Sequence, residues 1–361
     1  MTTPLPHFTK LLLKWHKREN TRQMPWKGEK DPYKIWLSEI ILQQTRVEQG
    51  WSYYERFLEA FPTVRRLASA PRQKVFKLWE GLGYYNRCRN LIDTAKTIAT
   101  TYKGQFPGSY EAILALKGIG PYTAAAISSF AFGLPHAVVD GNVERVLARY
   151  FGISTPIDTS AGKKLYASLA ASLLYNPDPG QYNQAIMDFG AVICKPRNPL
   201  CPTCPLKKDC QAYGHGWTEI LPVKEKSKGK RQRWFYYYIL ETGDGKTWLR
   251  QRKEKDIWES LYEFVLWETD HAVAEEELPE PPFAKGLFPA GSLTVRHISK
   301  IYRQELSHQT IQGQFIIICP DGPLPKLKGY RLVAKRKMEG YAFPGFINAW
   351  LRDPTPVRSL F

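Results

Sequence analysis

Two acidic residues, Glu39 and Asp140, lie at positions in the sequence that suggest a chemical function. Glu39 lies inside KIWLSEIILQQTRVEQ, whose apolar residues indicate a largely buried helix with no cation within one turn of the acid. Burial without a cation disfavours the ionised form and raises the pKa of a carboxyl group. Asp140 comes directly after an apolar pair, at the predicted start of another helix.

Each acid alone has a plainer interpretation. Asp140 can be a helix N-cap, and Glu39 can be paired with an arginine from a distant part of the chain. Taken together, a carboxylic acid that keeps its proton and a second, ionised carboxylate form the pair that cleaves glycosidic bonds. One group protonates the leaving group, and the other stabilises the oxocarbenium-like sugar.

A second group of reactive residues is a cluster of cysteines with the spacing Cys-x6-Cys-x2-Cys-x5-Cys. Its members are Cys194, Cys201, Cys204 and Cys210. The N-terminus MTTPLPHFTK lacks the features of a secretory signal, so a metal site is favoured over disulfides. Zinc ribbons use two short pairs set well apart, whereas this compact spacing favours a cubane iron–sulfur cluster. Zinc and unmetallated thiols remain as alternatives.

The charge of the chain favours a polyanionic partner. The 361 residues carry a formal net charge of +17, which predicts nucleic acid, although solubility alone could account for it. The cysteine loop adds four cations that could face a DNA backbone or offset the charge of a cluster: Lys195, Arg197, Lys207 and Lys208.

The segment LKGIGPYTA predicts a turn between two helices that could hold a phosphate. Gly118 can end the first helix, Gly120 allows close backbone approach, and Pro121 suits the first turn of the next helix. The free amides at that helix start form an anion site. Such a glycine pair is weak by itself, because tight helical turns use glycine anyway.

The elements that must position these groups fall into two parts. Residues 5 to about 215 show helical periodicity, and the basic stretch KEKSKGKRQR predicts a solvated linker. Beyond it we predict an α+β domain with a closing helix in GFINAWLRD and a hairpin turn at Gly243-Asp244-Gly245 between the first two strands. The predicted strands are 234–240, 246–252, 261–267 and 314–319. The predicted domains are 1–222, including the cysteine loop 194–210, and 234–361, with the linker at 223–233.

Several motifs occur together in one order: WLSEIILQQT, EGLGYYNR, LKGIGPYTA, VDGN and the four-cysteine loop. The set resembles the MutY family of adenine DNA glycosylases, strongly over the first 220 residues and more weakly beyond. The resemblance implies an all-helical helix–hairpin–helix domain with a [4Fe–4S] cluster, followed by a Nudix-like α+β domain. It implies base excision repair, in which adenine mispaired with 8-oxoguanine or guanine is removed from double-stranded DNA.

The resemblance also implies roles for single residues. Glu39 would be the general acid at adenine N7, and burial would keep its proton in place near neutral pH. Asp140 would stabilise the cationic sugar or form a transient covalent adduct at C1′, with Tyr122 and Asn142 supporting this centre. The remaining residues would contact DNA: Trp26 near the pocket, and Gln44 and Tyr84 where adenine leaves the duplex.

In the second domain the family uses a Phe-Ser-His loop to probe the oxidised guanine. The matching segment here is Leu306-Ser307-His308, in which leucine stands where the family commonly has phenylalanine. A Nudix hydrolase needs a Glu-rich helix of REXXEE type to hold magnesium, and the sequence contains none. The domain is therefore expected to bind a lesion and not to hydrolyse a nucleotide.

Two rival functions share part of this pattern. An endonuclease III-like bifunctional glycosylase/lyase needs a lysine after the hairpin, where this chain has Tyr122, and it lacks the acid of the first motif. A non-catalytic iron–sulfur DNA-binding protein would be expected to have lost Glu39 or Asp140. We expect a monofunctional, monomeric glycosylase in the bacterial cytoplasm, associated with the nucleoid through DNA and not with a membrane.

Overall fold

The computed structural model describes residues 5–225, 229–289 and 291–354. The chain forms two compact units, Met1–Ser69 with Arg89–Ser227 and Ala70–Cys88 with Lys228–Phe361. The grouping of Ala70–Cys88 with the later part of the chain was not predicted from the sequence. The domain limits at 222 and 233 stay a prediction, and residues 226–228 of the predicted linker lie outside the described residues.

The first part of the chain is helical, as predicted. Its helices are α1 (His7–Glu19), α2 (Pro32–Leu42), α3 (Val47–Ala60), α4 (Val64–Ser69), α5 (Arg72–Trp79), α6 (Asn86–Thr100), α7 (Tyr110–Leu114), α8 (Pro121–Phe132), α9 (Gly141–Phe151), α10 (Ser160–Leu173), α11 (Pro179–Val192) and α12 (Gln211–Gly214). None of the described helices is long and apolar enough to cross a bilayer.

Helix α2, which carries Glu39, and helix α11 both begin at a side-chain N-cap. The Asp31 side chain accepts a hydrogen bond from Tyr33 N at the start of α2, where Pro32 holds the first position. Asp178 caps α11 in the same way through Gln181 N. These caps fix where α2 and α11 begin, and therefore which of their residues face the interior.

The core beneath α1, α8, α9 and α11 is apolar. Leu12 and Leu147 are fully buried there, and Trp15 packs edge to face on Phe189 with ring centroids 5.0 Å apart. An aromatic edge-to-face pair adds a preferred orientation to the free energy of burial. The inner ends of α8, α9 and α11 are thus held by packing, which gives the pocket described below a rigid wall.

The turn between α7 and α8 has the predicted glycine chemistry. Gly118 has a φ of +77°, and a Cβ at this position would lie 2.6 Å from the Asn90 side chain. Only glycine satisfies both demands without strain. Gly120 is the N-cap of α8, and a Cβ there would meet open space within 4 Å.

The second unit contains two sheets among its described residues. A mixed sheet has the order β4-β1-β7-β5, with β6 also paired to β7, and a smaller sheet has the order β3-β2-β8. The strands are β1 (Arg231–Leu240), β2 (Lys246–Gln251), β3 (Tyr262–Glu263), β4 (Val265–Thr269), β5 (Leu293–Ile298), β6 (Tyr302–Glu305), β7 (Gln309–Pro320) and β8 (Arg331–Ala334), and α13 (Gly345–Leu351) is the predicted closing helix.

The predicted hairpin between β1 and β2 is wrong. Residues 242–246 do turn, since Thr242 N donates to Lys246 O over 3.1 Å. However, β1 pairs antiparallel with β4 on one side and parallel with β7 on the other. Over Trp234–Tyr238 both edges of β1 carry ladder hydrogen bonds, and β2 pairs with β3 and β8 in the other sheet instead.

Three strands were not predicted, and two others were predicted as one. β5, β6 and β8 were not predicted, because they are short and their residues are mostly polar or half-buried. The predicted strand 261–267 is divided between β3 and β4, which belong to different sheets. The α+β class of this unit is nevertheless confirmed.

Candidate active site

One cavity of about 810 Å³ in the first unit brings the two predicted acids together. Glu39 reaches it from α2, Tyr122 from the first turn of α8, and Asp140 with Asn142 from the start of α9. Trp26 and Gln44 also line this cavity. Residues more than a hundred positions apart in the chain therefore share one site, as the glycosidic-bond interpretation requires.

Glu39 is a buried acid whose environment favours the protonated form. It is 6% exposed, and its pKa is raised to about 7 because burial penalises the carboxylate, with a further contribution from the charge of Asp140. A hydrogen bond from the Tyr122 hydroxyl acts in the opposite direction and limits the rise. A carboxyl group with a pKa near neutrality can deliver a proton and still be reprotonated from water.

Asp140 combines two roles, because the N-cap of α9 is also a wall of the cavity. Its Oδ1 accepts hydrogen bonds from Asn142 N and Val143 N, both over 2.9 Å, and its Oδ2 accepts one from Asn142 Nδ2 over 2.8 Å. The pKa of Asp140 is raised because burial disfavours the carboxylate, and these hydrogen bonds and the charge of Arg145 offset part of the rise. The cap interpretation and the catalytic interpretation are compatible.

A buried arginine lies behind Asn142. Arg145 Nη2 donates to Asn142 Oδ1 over 2.8 Å, and Arg145 Nε donates to the carbonyl of Cys194 over the same distance. Asn142 is thereby oriented with its amide NH₂ toward Asp140. Asn142 was predicted from the sequence, but Arg145 was not, because an arginine in a helix is usually a surface residue.

Asp188 is a second buried acid that the sequence analysis missed. It is fully buried on α11 and accepts from Arg22 Nη1 over 2.9 Å, Lys27 Nζ over 3.1 Å and Asn20 Nδ2 over 2.8 Å. These contacts tie the segment before α2 to α11. The segment includes Trp26, whose ring packs edge to face on Tyr54 with centroids 5.4 Å apart. An acid within an apolar helix was a visible signal here, as it was for Glu39.

Two of the predicted DNA-contacting residues have an unusual backbone. Gln44 has a φ of +58° and Tyr84 a φ of +46°, in the left-handed region that side chains rarely adopt. Such conformations persist where the surrounding structure imposes them, and they occur often at functional sites. Tyr84 is also 48% exposed, which is uncommon for a tyrosine.

In the second unit, Tyr84 meets the Leu306-Ser307-His308 turn. The Tyr84 hydroxyl lies 2.6 Å from Ser307 Oγ, although 223 residues separate them in sequence. The turn is tight, since Leu306 N donates to Gln309 O over 2.8 Å, and both Ser307 and His308 are exposed. Tyr84 and the turn were each predicted to contact DNA, but the contact between them was not predicted from the sequence.

The four cysteines of the loop line one cavity, and none of them is in a disulfide. Burial raises the pKa of Cys204 to about 12 and also raises the pKa values of Cys201 and Cys210. Arg149, itself buried, donates to Cys194 Sγ over 3.5 Å and to Lys195 O over 2.7 Å. Within the described ranges, no three cysteine, histidine or acidic side chains are grouped closely enough for a single metal ion.

Two family profiles match the chain. Residues 37–169 match the HhH-GPD superfamily of base excision DNA repair proteins, and residues 236–352 match the NUDIX domain. The first match contains Glu39, Tyr122 and Asp140, and the second contains the Leu306-Ser307-His308 turn.

Known proteins give the same result. The adenine DNA glycosylase of Buchnera aphidicola subsp. Acyrthosiphon pisum is 38% identical over 258 residues, which cover 71% of this chain and 73% of the relative. A thermostable thymine-DNA glycosylase of known structure is 32% identical with a TM-score of 0.54, over 58% of this chain and 95% of that chain. An endonuclease III trapped covalently on DNA matches at 22% identity and a TM-score of 0.50, over 58% of this chain and 94% of that one, which shows a shared fold. With its HhH-GPD and NUDIX domains and this degree of identity, the chain belongs to the adenine DNA glycosylases, DNA-binding enzymes of base excision repair.

Proposed function

We propose that this glycosylase removes adenine opposite 8-oxoguanine or guanine and leaves the DNA strand uncut. The observation that carries the proposal is the placement of Glu39, Tyr122 and Asp140 around one cavity, with the pKa of Glu39 raised to about 7. An adenine turned out of the duplex would fill such a cavity with its imidazole edge toward Glu39.

Glu39 acts as the general acid. Its proton passes to adenine N7, the bond between C1′ and N9 breaks, and adenine leaves as a neutral base instead of an anion. Proton transfer from a positioned group accelerates such steps by about 10²–10⁴-fold. Water then supplies a hydroxyl group to C1′, and its proton returns to the Glu39 carboxylate.

Asp140 faces the cation that forms on the sugar. Its carboxylate stabilises the oxocarbenium ion or adds to C1′ in a transient ester that water opens. Three hydrogen bonds hold the carboxylate and favour its ionised form, and two of them come from Asn142. Asn142 is in turn fixed by Arg145.

Tyr122 supports the monofunctional outcome. A lyase needs an amine to form a Schiff base with the sugar, and the position after the hairpin carries a phenol that is hydrogen-bonded to Glu39. Burial raises the pKa of Tyr122 well above its ordinary value, so the phenol keeps its proton. The endonuclease III-like alternative therefore lacks its nucleophile at this position.

Recognition of the opposing base is assigned to the second unit. Ser307 and His308 are exposed and offer a hydroxyl and an imidazole, groups that can respond to the N7–H of an oxidised guanine. Leu306 is half-buried, so we assign the turn a hydrogen-bonding role and not that of an aromatic wedge. Tyr84 is hydrogen-bonded to Ser307, which would place it beside the lesion.

The duplex backbone would be held at the hairpin. Gly120 leaves open space at the N-terminus of α8, where backbone amides and the helix dipole favour a phosphate, and Gly118 shapes the turn. Gln44 enters the duplex where adenine leaves, and Trp26 forms part of the pocket wall. The net charge of +17 supports binding to the polyanion.

We assign a [4Fe–4S] cluster to the cysteine loop, with Cys194, Cys201, Cys204 and Cys210 as ligands. The cluster would order the loop, and the reaction requires no electron transfer. Arg149 would stabilise the thiolates by donating to Cys194 Sγ. We further propose that the enzyme acts as a cytoplasmic monomer, with the catalytic domain, linker and lesion-reading domain divided at 222 and 233.

A glycosylase assay tests this proposal. Duplexes with one adenine opposite 8-oxoguanine, guanine or thymine are incubated with excess enzyme, and each sample is divided before treatment with alkali. We expect fast adenine release opposite 8-oxoguanine, slower release opposite guanine, almost none opposite thymine, and strand breaks only after alkali. Equal rates on all three duplexes would refute the lesion assignment. Strand breaks before alkali would refute the monofunctional mechanism.

A further inference from the structure

In the second unit, helix α5 is attached to the C-terminal segment by polar contacts. Gln73 Nε2 donates to Gly340 O over 2.8 Å, and Lys77 Nζ donates to Tyr341 O over 3.1 Å. These side chains lie one turn apart on α5, so both fall on the same helix face. The face leads directly into Glu80, the C-cap residue of α5.

Glu80 contacts both α5 and the C-terminal segment. Its Oε1 accepts from Phe343 N over 2.8 Å and from Asn348 Nδ2 over 3.0 Å, and its Oε2 accepts from Lys77 Nζ over 2.7 Å. The side chain is 12% exposed. A shielded carboxylate with three donors holds its neighbours firmly, because Phe343 N would lose its acceptor, and Lys77 and Asn348 one of theirs, if the carboxylate moved.

The loop that follows Glu80 carries Tyr84 and is internally braced. Trp79 Nε1 donates to Gly83 O over 3.0 Å, and the guanidinium of Arg87 lies 5.5 Å from the Tyr84 ring centroid. Gly81 and Gly83 have φ values of +97° and +71°, which only glycine adopts freely. Four residues after Glu80, the Tyr84 hydroxyl meets Ser307 Oγ at 2.6 Å.

We propose that Glu80 is a positioning residue for lesion discrimination, acting through Tyr84. By fixing the end of α5 to Phe343 and Asn348, it sets the distance between the Tyr84 hydroxyl and Ser307. Glu80 itself has no contact with the lesion. The inference rests on the proposed role of Ser307 in reading the opposing base, and it adds a residue outside the reading turn that this role depends on.

The test compares Glu80→Ala and Glu80→Gln with the wild type in single-turnover assays. The readout is the rate on adenine opposite 8-oxoguanine divided by the rate opposite guanine. We expect this ratio to fall about tenfold in Glu80→Ala, because one or two buried donors lose their acceptor. Glu80→Gln keeps an oxygen acceptor and should lie between the two. Glu276→Ala, an exposed acid of the same unit, is the matched control and should leave the ratio unchanged.

A double-mutant cycle with Ser307→Ala separates positioning from general destabilisation. If Glu80 acts through Tyr84 and Ser307, the ratio in the double variant should be no lower than in the more impaired of the two single variants. The two effects are then not additive. Additive effects, or a full ratio in Glu80→Ala, would overturn the proposal. If Glu80→Ala does not fold, the same cycle is run with Glu80→Gln.

Hydrogen exchange tests the attachment without any substrate. Amides of residues 81–85 and of Phe343 should exchange at least several-fold faster in Glu80→Gln than in Glu276→Ala, because the local structure opens more often. Unchanged exchange would overturn the positioning role. If instead the wild type shows no preference for 8-oxoguanine but the exchange differs as expected, the lesion assignment fails and the attachment stands.

Discussion

Each unit of the molecule buries a glutamate against a tyrosine hydroxyl, and the two glutamates differ in the cations around them. Glu263 is fully buried and accepts from Arg252 Nη1 over 2.6 Å, Arg250 Nε over 2.8 Å and Tyr237 OH over 3.2 Å. Glu39 has the hydroxyl of Tyr122, and in the described part of the chain no ion pair reaches it.

The difference shows what a cation does for a buried acid. Two arginines neutralise Glu263, so its charge is part of the framework between β2 and β3. Without such partners, the free energy of burial raises the pKa of Glu39, and the nearby Asp140 adds to the rise. The Glu263 site is an ion pair that holds the framework together, whereas the Glu39 site suits a carboxyl group that donates a proton and regains it.

The largest effect is expected from Glu39→Gln. The amide keeps the shape of the side chain but has no acidic proton, so single-turnover adenine release should fall by about 10²–10⁴-fold. Duplex binding, measured by fluorescence anisotropy, should stay within a few-fold of the wild type. Glu263→Gln is the matched control, since it makes the same change in the other buried pair. A Glu39→Gln enzyme with the normal rate would disprove the general-acid assignment.

Glu263→Gln should act on stability instead. It removes the buried anion that Arg250 and Arg252 share and leaves them only the more exposed Glu254 and Asp256, which costs about 3–5 kcal/mol in the free energy of unfolding. The rate of adenine release per folded molecule should be retained. Urea unfolding monitored by tryptophan fluorescence, with active-site titration, gives both quantities. If Glu263→Gln unfolds at the same free energy as the wild type, the contacts with the two arginines do not make Glu263 a structural residue.

The two substitutions should also differ in their dependence on pH. The folded pKa of Glu39, about 7, lies above the unfolded value of 4.5, so wild-type stability is lost as pH rises between these values. At pH 8, Glu39→Gln should therefore unfold at a free energy about 3 kcal/mol higher than the wild type, with little difference at pH 4. Melting curves at both pH values test this sign, and a destabilised variant at pH 8 would contradict it.

The rate of adenine release should also depend on pH through the protonation of Glu39. Release of adenine needs Glu39 protonated, so the single-turnover rate should fall tenfold per pH unit above about 7. Tyr122→Phe removes the hydrogen bond that lowers the pKa of Glu39, and the alkaline limb should move to higher pH. The limb would stay in place or move to lower pH if the phenol does not stabilise the carboxylate.

The smallest effect is expected on the discrimination between opposing bases and not on the cleavage of the glycosidic bond. Replacing Ser307 and His308 together by alanine should reduce the preference for 8-oxoguanine over guanine by about tenfold, the worth of one or two hydrogen bonds. The rate of adenine release opposite guanine should remain near that of the wild type. Single-turnover rates on the two duplexes, compared with the wild type, check this division of labour between the units. Unchanged discrimination would remove the turn from lesion reading.

Much of the site could be predicted because its signals are local. Glu39 is conspicuous as an acid inside an apolar helix, Asp140 precedes a helix start, and the Gly118–Gly120 turn has the residues that a tight helical connection requires. The spacing of the four cysteines is likewise visible in the sequence. The helical class of the first unit and the α+β class of the second follow from periodicity, since each helix or strand buries one face or is buried on both.

The sequence by itself determined which residues have unusual chemistry and in what order they occur. Only the tertiary structure decided which of them meet: Glu39 with Tyr122, Asp188 with Arg22, Tyr84 with Ser307, and β1 with β7 in place of β2. The physical reason is that local propensity depends on neighbours a few residues away. Pairing between distant parts of the chain depends instead on how whole elements pack and on which strand edges and hydrogen-bond donors remain to be satisfied.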